Sequence, residues 1–103
     1  MKSMALTVRE GDGSEAETYV LEGDRRQSNE RMIQRGLEKL YDESVEFVDE
    51  EKRHYRTTDS DRKLTIEEAR LLPADEANQL KRKHFTLVIN ENVTEGSCRV
   101  RYS

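Results

Sequence analysis

Residues 42–51, DESVEFVDEE, hold six carboxylates and no base. Carboxylates this dense can act as a paired acid and base or hold a hard cation, but both uses need a concave, partly desolvated site. They can also form a negative stripe that imitates a phosphate backbone and occupies the nucleic-acid-binding surface of another protein. If the run continues a helix from the segment before it, Asp42, Glu46, Asp49 and Glu50 share a face about one turn apart, with Glu43 beside them. Asp42, Glu43, Glu46, Asp49 and Glu50 are the candidate partner-binding residues. The ordinary reading of the same letters is a solvated helix face, because charged side chains dominate protein surfaces.

The opposite charge gathers in residues 78–103. Lys81, Arg82, Lys83 and His84 precede Phe85, and Arg99 and Arg101 alternate with Val100 and Tyr102. Cations mixed with aromatic rings on a sheet hold single-stranded nucleic acid. Lys81, Arg82, Lys83, Arg99, Arg101 and Tyr102 therefore form an alternative, nucleic-acid-binding set. The balance of the whole chain weighs against it: net charge is -4 and the isoelectric point is near 5.3, and no RNA-binding signature is present.

Residues 57–68, TTDSDRKLTIEE, resemble an EF-hand calcium loop in their second half. Asp59 and Asp61 take loop positions three and five, Leu64 the hydrophobic eighth and Glu68 the bidentate twelfth. Thr57 replaces the first carboxylate and Arg62 the sharp-turn glycine. A polar loop followed by a helix cap explains the same residues.

The remaining reactive side chains are scattered. His54 and His84 have no cysteine or carboxylate at metal-ligand spacing and read as surface histidines. Cys98 alternates with Val100 and Tyr102, as a small buried residue does. There is no phosphate-binding glycine loop, nucleophile elbow or zinc pattern. The expectation is a chain without catalysis, metal or cofactor.

The frame that positions these groups follows from apolar spacing. Residues 4–10 and 16–22 alternate apolar and polar around Gly11, Asp12 and Gly13, which predicts an N-terminal β-hairpin. From Asn29 the period changes: Met32, Ile33, Leu37, Leu40 and Tyr41 recur at three and four residues, one face of a helix. Ser28 competes with the Asp24–Gln27 pair as its cap. Val45 and Val48 extend the stripe, favouring helix through about Lys52, whereas Val45, Phe47 and Tyr55 also suit a short hairpin. Thr65 with Glu68 forms a capping box for a second helix that Pro73 breaks. A short helix over 74–83 follows. Residues 85–89 and 98–102 then predict a C-terminal hairpin.

The fold class is therefore α+β: a small single domain over residues 1–103, with an N-terminal β-hairpin, one long helix, one or two short helices and a C-terminal β-hairpin. The hairpins form an antiparallel sheet packed on helices. At 39% charged, 33% hydrophobic and a mean hydropathy of -1.02, such a domain has little apolar surface to offset the entropy of ordering. A homodimer through the face of Ile33, Leu37, Leu40 and Tyr41, or through a strand edge, would complete its core. The lone cysteine and the lack of an apolar leader or membrane-spanning run predict a cytoplasmic location. The expected function is a non-enzymatic regulator, adaptor or inhibitor that binds another protein, its acidic stripe facing a basic partner. Nucleic-acid binding through the basic C-terminal hairpin is the alternative, and a degenerate calcium loop the lesser one.

Overall fold

The computed structural model describes residues 1–13, 15–49 and 53–89. β1 (Lys2–Glu10) and β2 (Glu17–Gly23) pair antiparallel, with Leu6 opposite Tyr19. Gly11 turns the chain between them at a φ of +67°, a region that side chains resist. The expected N-terminal hairpin is thus present. α1 (Asn29–Tyr41) begins at Ser28, whose hydroxyl accepts from Arg31 N at 3.1 Å. Asp24 turns back instead to accept from Arg26 N.

Among the described residues, six strands make one sheet in the order β3-β4-β5-β1-β2-β6, with β3 (Val45–Phe47), β4 (His54–Thr57), β5 (Lys63–Leu72) and β6 (Phe85–Val88). Neighbours run antiparallel except β2 and β6, which are parallel. One face packs on α1, where Met4, Leu6, Leu21, Met32, Leu37 and Leu64 are among the fully enclosed side chains. On the other face, α2 (Ala74–Leu80) sets Ala77 against Ala5, Val20 and Leu72. Each fully buried leucine or methionine contributes about 1.5–3 kcal/mol. α1 lies so close to β2 that a Cβ on Gly36 would stand 3.0 Å from both Leu21 methyls, which gives the mid-helix glycine its reason.

The result is a small α+β domain, and three expectations about it need correction. α1 stops at Tyr41 instead of running to about Lys52, because Asp42 adopts the left-handed conformation, φ 57° and ψ 37°, and its N–H closes on Glu38 O. Beyond it the chain forms the β3–β4 hairpin that Val45, Phe47 and Tyr55 also suited. The predicted Thr65 helix is β5, paired along its length with the central strand β1. Ile33 and Leu37 are buried in the chain's own core, with Tyr41 packed against it, so they present no dimer face. Of the expected C-terminal hairpin, Phe85–Val88 forms β6, parallel to β2, while residues 98–102 lie outside the described residues. Among the described residues no helix is long and apolar enough to cross a membrane.

Candidate protein-docking arm

The carboxylates singled out in the sequence lie along the loop and hairpin that follow α1, not on one helix face. Each described one has a different environment. Asp42 is the exposed left-handed residue that ends α1. Glu43 reaches across to the β4–β5 turn, where one carboxylate oxygen accepts from Asp59 N at 2.9 Å and Ser60 N at 3.0 Å. The Ser60 hydroxyl donates to its other oxygen. These bonds favour the charged form, that from the Ser60 side chain most, and hold Glu43 below the ordinary carboxylate value. Glu46 on β3 accepts from Arg56 of β4 at 2.6 Å. Asp49 closes the hairpin: it accepts from Arg53 N at 3.2 Å and from His54 Nδ1. The His54 bond is the main reason Asp49 sits below its ordinary value. Glu50 lies outside the described residues.

The β4–β5 turn that Glu43 caps is built around Thr57. Thr57 is fully buried, and its hydroxyl accepts from Arg62 N at 2.9 Å and bonds the Ser60 hydroxyl at 3.0 Å. Thr58 N donates to Ser44 O at 2.9 Å, tying the same turn to the loop before β3. Asp61 takes a φ of 57° there. The calcium-loop resemblance therefore falls on a β-turn and a strand. Glu68 stands opposite Thr7 in the sheet and pairs with Arg70 at 3.4 Å, out of reach of a loop formed by Asp59 and Asp61. Among the described residues no three potential ligands cluster as a metal site would require.

Two apolar residues break the polar surface of this arm. Phe47 is 52% exposed and Val48 61%. Alternation along β3 turns Val45 inward beneath α1 and Phe47 to the same side, where its ring meets buried Tyr55 edge-on at 6.3 Å and 79°. Glu46 and Val48 face the other side. There, Val48, His54, Arg56, Asp61, Lys63 and Thr65 border an open recess of about 380 Å³. The sequence offered Phe47 and Val48 only as core residues of a helix or hairpin. What marked them as surface was their setting between Glu46 and Asp49.

His54 lies on the surface as expected, and it pairs with Asp49 five residues before it. Of the basic set, Lys81, Arg82 and Lys83 occupy the turn between α2 and β6, and the Lys81 ammonium meets the buried carboxylate of Glu22. Arg99, Arg101, Tyr102 and Cys98 lie outside the described residues. The structure thus joins the described acidic candidates into one arm and leaves three described basic ones at a separate site. No protein-family model matches this chain, and neither a curated protein nor a solved structure matches it.

Proposed function

We propose that this chain is a non-catalytic regulator or adaptor that binds another protein through the β3–β4 arm. The observation that carries the reading is the exposure of Phe47 and Val48, at and just after the end of the edge strand β3. Binding surfaces combine apolar or aromatic anchors with a polar rim, and here Glu46, Asp49, His54 and Arg56 supply the rim. The acidic residues take a smaller part than their number suggests, since Glu43, Glu46 and Asp49 each engage a group within the chain. The apolar pair takes the larger share, and the charges steer the approach.

Affinity capture from host extract with the intact chain and with a Phe47→Ser, Val48→Ser variant tests this reading. The intact chain is expected to retain a protein that the variant loses, with both showing the same circular dichroism spectrum. An identical set of captured proteins would remove the arm from the function.

A further inference from the structure

We infer that the partner docks by adding a strand to the open half of β5, as an extended segment with apolar side chains on one side and a basic one on the other. This rests on the arm being a docking surface and extends that surface along the sheet. β5 runs to Leu72, but β4 pairs only with its residues 63–65. The arm ends where the open stretch begins, since Arg53 O accepts from Ile66 N at 2.7 Å and Val48 N donates to His54 O at 2.8 Å. Among the described residues no strand lies against residues 69–72 on that side. Ile66 N points outward, and across the register shift at Thr7 and Val8 the outward positions become Ala69 and Leu71. Their N–H and C=O groups form a row that another strand can pair in full.

The two faces of this stretch set what the added strand carries. Ala69 and Leu71 stand opposite Leu6 and Met4, on the α1 side of the sheet, yet Ala69 is exposed and Leu71 is 48% exposed. Apolar side chains at every second position of the added strand cover them. Glu68 and Arg70 take the other side, where Arg70 meets Glu68 at 3.4 Å and Glu76 of α2 at 2.9 Å. One guanidinium thus serves two carboxylates, and a lysine or arginine of the partner supplies the missing charge. A second copy would bring the same surplus carboxylate against this one. A nucleic acid would bring phosphates and no row of amides to pair. The added strand lies in line with β4, at the end of the arm that carries Phe47 and Val48, so main-chain pairing and the apolar pair serve one partner.

The test titrates short synthetic peptides into the isotopically labelled intact chain at low salt. In the first, valine and lysine alternate. Two others add N-methyl groups either to the valines or to the lysines, which strips the main-chain donors from one edge of the extended peptide at a time. The unmodified peptide is expected to slow hydrogen exchange at the amides of Ala69 and Leu71. It should bind about tenfold more tightly than one methylated form, and no more tightly than the other. Leu71→Ser should weaken its binding. Equal binding of the two methylated forms, or protection confined to other elements, would overturn the inference. So would a concentration-dependent dimer that protects the same two amides, which would make a second copy the occupant. If capture from extract depends on Phe47 and Val48 while the methylated forms bind alike, the docking reading stands and only strand addition fails.

Discussion

The half of the molecule built from β1, β2 and α1 is held by apolar burial, whereas the arm and its turn are held by side-chain hydrogen bonds. In the first, Leu6, Leu21, Met32 and Leu37 are enclosed without a polar atom among their side chains. In the second, Glu43, Glu46, Asp49 and Thr57 fix the geometry, and the apolar content beyond Val45 and Tyr55 lies on the surface. The contrast shows how a chain only 33% hydrophobic orders so much of its length. It concentrates its apolar residues on one helix–sheet contact and leaves the outlying hairpin to local polar bonds. Such bonds are directional and shallow, so they specify shape while adding little global stability.

The largest effect should come from the apolar half. Leu37→Ala removes a fully buried side chain and is expected to destabilise the domain by about 2–5 kcal/mol, read by urea or thermal unfolding. Next comes Thr57→Val, which keeps the volume but leaves Arg62 N without its buried acceptor. A loss of about 1–3 kcal/mol is expected in the same assay. A Thr57 variant as damaging as Leu37→Ala would break the contrast, because the turn would then belong to the global core.

The smallest effect is a pH dependence. Hydrogen bonds hold Glu43 and Asp49 below their ordinary values of 4.5 and 3.8. A group depressed on folding contributes its stability above the unfolded value and loses it as pH falls through the folded one. Wild-type melting temperature should therefore fall on acidification below those values. A Glu43→Gln, Asp49→Asn variant should start lower and fall less. Parallel curves for the two proteins would show that these carboxylates do not link folding to protons.

Legibility in the sequence follows the same divide. Periods of two in β1 and β2 and of three to four in α1 are created by burial on one face, so residue type alone reveals them. The end of α1 was hidden because Asp42, not glycine, takes the left-handed position. β5 was hidden for another reason. Its register shifts between Thr7 and Val8, which places Val8 opposite Ile66 but Thr7 opposite Glu68. The bulge at Glu67 sends Ile66 to the α1 side and Leu72 to the α2 side, erasing alternation and leaving a helix-like spacing. The β3–β4 arm was half legible: its residues were found, but as a helical stripe, because the Glu43 bond to residues 59 and 60 joins chain segments that no local spacing connects.

The central place of β1 bears on how the chain is made. Ser3 pairs with Leu72 and Glu10 with Leu64, so one side of β1 cannot be satisfied until residues 64–72 have left the ribosome. At roughly 5–20 residues per second, the β1–β2 hairpin spends seconds with an open edge of alternating apolar side chains. That edge is the natural site for a chaperone, or for misassembly with a neighbouring nascent chain. The arm cannot align on the sheet before β5 arrives, so the proposed docking surface forms only after the strands on both sides of β1 have been made.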